Sequence, residues 1–310
     1  MTDTAISGFF DLQVNGYAGV DFNQDDLMAD QLHRACEKLR ADGSRRILAT
    51  IVTEDVDRMA RRIANVVRLR DSDPLARDLI AGIHIEGPFL NPETGYRGAH
   101  PLDAIIPADA AAMDRLIDAG GGLVRLVTLA PEQDPGCVLM RLLSRRGIVV
   151  SAGHCNPSVE EIERALDAGL TLFTHLGNGC PMMLPRHDNI IQRALSFRDR
   201  LWLCFIADGV HIPFPALGNY LRCASIARAV VVTDAIAPAG LGPGHYTVSR
   251  WNLNIGEDLV ARAPDGSHLV GSAVTMQRSA KNLREVIGLS EREVEQLTML
   301  NPALACPVTG

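Results

Sequence analysis

The sequence predicts an α/β fold, a (β/α)8 barrel formed as a single domain over residues 1–310. Three observations predict it. Short β-branched or apolar runs recur along the chain, each followed by a stretch with helical spacing, the pattern of βα units around a parallel sheet. A chain of 310 residues with 47% hydrophobic content holds one barrel of roughly 250 residues but not a second full domain beside it. No GxGxxG follows the first run and no Walker loop occurs, so an open nucleotide-binding sheet has no support.

The runs expected as strands are Gly8 to Val14, Arg45 to Thr53, Leu79 to Ile85, Leu123 to Thr128, Gly147 to Ser151, Leu170 to Thr174, Leu201 to Ala207 and Ala229 to Thr233. Between them, Asp26 to Leu39, Val56 to Arg68, Asp109 to Ala119 and Val159 to Ala168 repeat apolar residues three and four apart, as amphipathic helices do. The last carries its own start signal, because Ser158 precedes Glu161 by the capping-box interval and Gly169 follows the end. Residues 240–272 break the rhythm with Gly, Pro and Asp, and Pro264-Asp265-Gly266 reads as a hairpin turn, so an insertion or cap is expected after the eighth strand. Helical spacing resumes in Met276 to Ile287 and Arg292 to Leu300, and Asn301-Pro302 is expected to end it.

Composition narrows the function classes. A formal charge of −7 gives no electrostatic reason to expect nucleic acid or an anionic membrane, although a local basic pocket for a small anion remains open. The start, MTDTAISGFF, lacks the basic, apolar and small-residue order of a secretory leader, and no apolar window reaches spanning length, so a cytoplasmic protein is expected. Cys36, Cys137, Cys155, Cys180, Cys204, Cys223 and Cys306 are scattered and odd in number with no CxxC, against a disulfide framework or a cysteine zinc site.

In such a barrel, catalytic groups stand at the C-terminal ends of strands and in the loops that follow. Strand one ends at Gln13-Val14-Asn15, strand three at His84-Ile85-Glu86, strand five at Gly153-His154, strand six at Thr174-His175 and strand eight at Thr233-Asp234. Glu86, His154 and His175 would converge as one carboxylate and two imidazoles, a set that suits zinc or a similar divalent ion with one position open for water. A cation there lowers the pKa of that water toward neutrality. Asp234 is placed to take the proton and return it to a leaving nitrogen. A lone His or Asp at a strand end is ordinarily a hydrogen-bonded, capping or solvated residue. Four of them at the ends of separate strands argue for a set. His84, two residues before Glu86, shares its face one layer deeper and is expected to be structural, and His33, His245 and His268 carry no functional expectation.

With these residues the chain resembles the N-acetylglucosamine-6-phosphate deacetylases of the amidohydrolase superfamily. The resemblance runs from Phe10 to about Pro302 through FFDLQVNGYAGVDFN, GIHIEGPFLNPETGYRGAH, SAGHCNPS, FTHLGNG, ADGVHIP, VVTDAIAPAG and GSAVTM. It implies that Glu86, His154 and His175 hold the metal and that Asp234 is the catalytic acid and base. It further implies that His100 bonds the acetamide carbonyl, and that Asn178, Gly179, Arg186 and His211 lie around the sugar and phosphate. Part of the family's phosphate site is reached across a subunit interface, which implies a homodimer. Many superfamily members carry His-x-His on strand one where this chain has Gln13 and Asn15. Amides are poor ligands, so one tightly held metal is expected beside them: zinc by preference, with iron, cobalt and manganese open.

Two departures from the family pattern matter. Its members usually add a small β-sandwich from residues before and after the barrel, whereas this sequence leaves room for a nearly bare barrel whose exposed surface a partner subunit would cover. After the strand-six His the family commonly has a bulky residue and then Asn-Ala, whereas this chain reads Gly177-Asn178-Gly179-Cys180-Pro181-Met182-Met183. That change leaves the metal chemistry intact and puts sugar or phosphate recognition in question, although Arg186 with His187 offers a charged pair for an anion. Two alternatives therefore stand beside hydrolysis of N-acetylglucosamine 6-phosphate: deacetylation of another acetylated amino sugar, such as N-acetylgalactosamine 6-phosphate or an unphosphorylated one, and a catalytically silent sugar-binding barrel.

Overall fold

Eight parallel strands pair in chain order: β1 (Phe9–Val14), β2 (Ser44–Val52), β3 (Ile80–Glu86), β4 (Val124–Leu129), β5 (Val149–Ala152), β6 (Leu170–Phe173), β7 (Trp202–Ile206) and β8 (Ala229–Val232). A parallel bridge between Val14 and Ala235 brings the last strand back to the first, and the sheet becomes a barrel. This computed structural model describes residues 8–248, 251–256, 258, 260–262 and 269–308; Pro264-Asp265-Gly266 and His268 lie outside them. Every expected strand is present, with no end displaced by more than two residues.

The helices are α1 (Ala29–Ala41), α2 (Val56–Ser72), α3 (Pro74–Leu79), α4 (Ala110–Ala119), α5 (Val138–Arg145), α6 (Val159–Asp167), α7 (Ile190–Ser196) and α8 (Phe214–Ala224). They form because their apolar faces have somewhere to go: Met59, Ile63, Val66 and Leu69 of α2, for example, join the core between helices and strands. The Ser158 side chain accepts from Glu161 N while Glu161 reaches back to Ser158 N, the capping box expected at the start of α6. Asp73 caps α3 through Leu75 N and Ala76 N, with Pro74 in the first turn. The seven cysteines are free, and five of them are buried.

The barrel interior is filled by Phe10, Leu12, Leu48, Leu126, Leu172, Cys204, Ile206, Val230 and Val232, and Ala305 and Cys306 join the same cluster from the C-terminal helix. That helix corrects one expectation. After α9 (Met276–Asn282) with its π turn Leu283–Ile287, α10 (Glu291–Glu295) passes through a second π turn, Gln296–Leu300, into α11 (Asn301–Ala305) rather than stopping at Asn301-Pro302. A π turn widens the helix by one residue, which accommodates a proline ring that an ordinary turn rejects. Asn301 instead braces β8, its Nδ2 donating to Ile226 O at 2.7 Å and Ala229 O at 2.6 Å.

Between β8 and α9 the chain forms a three-stranded antiparallel sheet, β9 (Gly244–Val248), β10 (Trp251–Ile255) and β11 (Ala261–Arg262). Leu253, Ile255 and Ala261 pack with Ile236, Ala237 and Ala273, and Ala99 from the loop after β3 lies against the same cluster. The small sheet therefore stands beside the loop that carries His100. Among the described residues, no helix is long and apolar enough to cross a membrane.

Candidate metal centre and active site

Glu86 is the last residue of β3, while His154, His175 and Asp234 each stand two residues beyond the ends of β5, β6 and β8. These three have left-handed backbones, at φ 50°, 28° and 51°, and only three other described non-glycine residues do. The reversed φ takes each of these residues out of the strand conformation just past β5, β6 and β8. Such conformations cost on the order of 1–3 kcal/mol each and persist where the surroundings fix them. Asn178 N donates to His175 O at 2.9 Å, and Ser272 N donates to Asp234 O at 3.0 Å.

Glu86, His154 and His175 are buried, and their ligand atoms lie within 4.8 Å of one another. Glu86 Oε1 is 3.0 Å from His175 Nε2 and 3.3 Å from His154 Nε2. His154 Nδ1 donates to the Tyr96 carbonyl at 2.8 Å, so in the neutral ring the Nε2 lone pair faces the Glu86 carboxylate. Two acceptors pointing at one another in a buried site are complementary to a cation rather than to each other, and the donor set fits a divalent metal. Burial opposes ionisation of Glu86, but the two imidazoles beside it hold its carboxyl well below the usual range. Small residues permit the packing. A Cβ on Gly179 would sit 2.8 Å from His154 Nδ1, and one on Gly98 would sit 3.0 Å from His154 Cε1.

Asp234 adjoins this cluster. Its Oδ1 accepts from Asn15 Nδ2 at 2.7 Å and Gln13 Nε2 at 3.1 Å, and Gln13 Nε2 also reaches Glu86 Oε1 at 3.1 Å. Burial first, and then the Glu86 charge, raises the pKa of Asp234, which favours a carboxyl able to hold and release a proton. His100 is buried with its Nε2 3.3 Å from His154 Nε2; burial and then His154 push its imidazole down to about 3, and it is neutral. His84 is structural, bonded to Thr50 Oγ1 and Thr128 Oγ1 at 3.2 and 2.8 Å, and burial pushes it down to about 4.

The substrate candidates separate. Asn178 and Gly179 lie beside the cluster, and Asn178 Nδ2 is buried without a hydrogen-bond partner, as are His175 Nδ1 and Asn15 Oδ1. His211 is held by Asp208, with Nδ1 2.5 Å from Oδ2. Arg186 and His187 are exposed, outside the buried group, on a stretch that also exposes Met182 and Met183. Sequence reasoning placed Asp11 and Thr174 at strand ends without giving them a role, and it passed over Asp208 and Tyr96. Asp11, two residues before Gln13, carried a signal in strand alternation. Tyr96 acts through its carbonyl and carried none.

No protein-family profile matches this chain. The N-acetylglucosamine-6-phosphate deacetylase of Danio rerio is 32% identical over 307 residues, spanning 96% of this chain and 74% of that enzyme. The chain belongs to the N-acetylglucosamine-6-phosphate deacetylase family. A second relative of these deacetylases, the N-acetylgalactosamine-6-phosphate deacetylase of Escherichia coli O157:H7, is 29% identical and spans 97% of this chain and 78% of its own. Among solved structures, an aspartate-to-alanine variant of the Mycobacterium smegmatis N-acetyl-D-glucosamine-6-phosphate deacetylase, in complex with N-acetyl-D-glucosamine-6-phosphate, superposes with a TM-score of 0.88 at 28% identity. That match covers 98% of this chain and 78% of the other, so the deacetylase likeness extends beyond the barrel strands.

Proposed function

We propose that the chain removes the acetyl group from N-acetylglucosamine 6-phosphate, giving glucosamine 6-phosphate and acetate. The observation that carries this reading is the convergence of Glu86 Oε1 with the Nε2 atoms of His154 and His175, next to an Asp234 anchored through one oxygen. Glu86, His154 and His175 would hold one divalent ion, zinc by preference, although iron, cobalt and manganese suit the same donors. When bound, it supplies a Lewis acid that makes water acidic and polarises a carbonyl.

The chain's own groups do the rest. Asp234 takes the proton released as water adds to the acetamide carbon and returns it to the nitrogen as the C–N bond breaks. His100, neutral, donates its N–H toward the carbonyl oxygen as charge develops there. Asn178, Gly179 and His211 would contact the sugar, and Arg186 the phosphate, where its forked guanidinium suits an anion. We further read the barrel and its 240–272 cap as one catalytic domain, working in the cytoplasm as a homodimer.

The galactosamine relative and the altered Gly177 to Met183 loop favour one second reading, in which N-acetylgalactosamine 6-phosphate is the better substrate. Acetate release from both acetylated hexosamines, each with and without the 6-phosphate, separates the two. The proposal expects the glucosamine phosphate to lead in kcat/KM; a lead for the galactosamine phosphate, or no preference for phosphate, overturns it.

A further inference from the structure

We infer that Glu132 is a positioning residue for His154: through Asn91 and Asn156 it holds the left-handed backbone from which His154 reaches the metal centre. The inference rests on the reading of Glu86, His154 and His175 as that centre. Glu132 lies in the short turn Pro131–Gln133 after β4, on a strand that contributes no member of the buried cluster. Its Oε1 accepts two hydrogen bonds, from Asn156 N at 2.6 Å and from Asn91 Nδ2 at 2.9 Å. Asn91 N in turn donates to His154 O at 3.0 Å.

One carboxyl oxygen thus ties together the loop after β3 and the loop after β5, on both sides of His154. The loop after β3 also supplies Tyr96 O, which fixes the His154 tautomer. Arg193 holds the far side of Asn156, donating through Nη1 to Asn156 Oδ1 at 3.2 Å and to Pro157 O at 3.0 Å. A histidine at φ 50° is not at rest by itself, and this ring of bonds keeps it there. Both bonds need one acceptor oxygen at this point, which the Glu132 side chain supplies. Partners behind a metal ligand typically account for roughly 10- to 100-fold in metal affinity.

The test is competition for zinc between the protein and a chelator of known affinity, read without substrate, for wild type, E132A and E132Q. E132A is expected to bind zinc about 10- to 100-fold more weakly. E132Q, whose carbonyl oxygen accepts both bonds, is expected to stay within about threefold of wild type. E132A within about twofold of wild type, or E132Q as weak as E132A, overturns the inference. Should E132A fail to fold, N91A takes its place: it removes the Nδ2 donor but keeps the main-chain bond to His154, and unchanged zinc affinity in it overturns the inference equally. A wild type that holds no zinc instead overturns the reading of the metal centre, and the inference falls with it.

Discussion

Gln13 Nε2 donates to Asp234 Oδ1 at 3.1 Å, and the same NH2 group lies 3.1 Å from Glu86 Oε1. Thr174 Oγ1 donates to Gln13 Oε1 at 2.5 Å, which fixes the orientation of the amide. A neutral side chain thus spans the proposed metal ligand and the proposed acid. With Asn15 bonded to the same oxygen, the proposed proton path would run through Asp234 Oδ2. Removing one hydrogen bond to a charged group costs about 1.5–3 kcal/mol. Gln13→Ala is therefore expected to lower kcat by roughly 10- to 100-fold while the metal stays bound. Metal analysis beside steady-state kinetics checks this, and loss of metal in step with kcat would contradict it.

Glu86 brings the negative charge of the donor set to two imidazoles. Glu86→Gln replaces a carboxylate by an amide, a poor ligand, and presents an NH2 group to the ion. The variant should keep the barrel, read by circular dichroism, and purify with almost no metal. Metal content equal to wild type would remove Glu86 from the centre.

Asp234→Asn keeps the size of the side chain and cannot relay a proton. General acid and base catalysis contributes about 10²- to 10⁴-fold. A loss in kcat of that order is expected, with metal content unchanged and KM altered little. Turnover near the wild-type value would contradict the proton path, whatever the fold.

Asp11 lies inside the barrel, where its carboxyl accepts from Gln13 N, Thr233 N and Thr233 Oγ1. Burial, partly offset by these bonds, raises its pKa from 3.8 to about 7. The folded protein therefore holds a proton on Asp11 that the unfolded chain has released between pH 4 and 7. Stability from this source is complete below pH 4 and is lost as pH rises through about 7. The effect is about 1.4 kcal/mol for each unit between the two pKa values. Denaturant titrations of wild type and Asp11→Asn across this range should give a smaller loss with rising pH in the variant, and parallel pH profiles would refute the assignment.

Much of the fold was legible because a parallel barrel writes each strand as an unbroken apolar run such as Val230 to Val232, and each helix as a spaced face. The proposed site was legible where its side chains stand at strand ends: Glu86 closes β3, and His154, His175 and Asp234 lie just past β5, β6 and β8. Two kinds of feature were not legible. Contacts made by main chain, such as Tyr96 O on His154 or Ser272 N on Asp234, leave no mark in residue type. Nor did Pro302 end its helix, because the preceding π turn is a property of the packed helix against β8 and not of a residue pattern. Arg186 shows a third limit, since its type suggests an anion site while its exposure leaves it apart from the buried group.

The central claim is that one metal held by Glu86, His154 and His175 supports deacetylation. Metal content per chain, measured together with acetate release from N-acetylglucosamine 6-phosphate before and after chelation, tests it most directly. The account predicts about one metal per chain, release that stops on chelation and returns when the metal is restored. Release that persists in metal-free protein, or one metal per chain with no release of acetate, would contradict it.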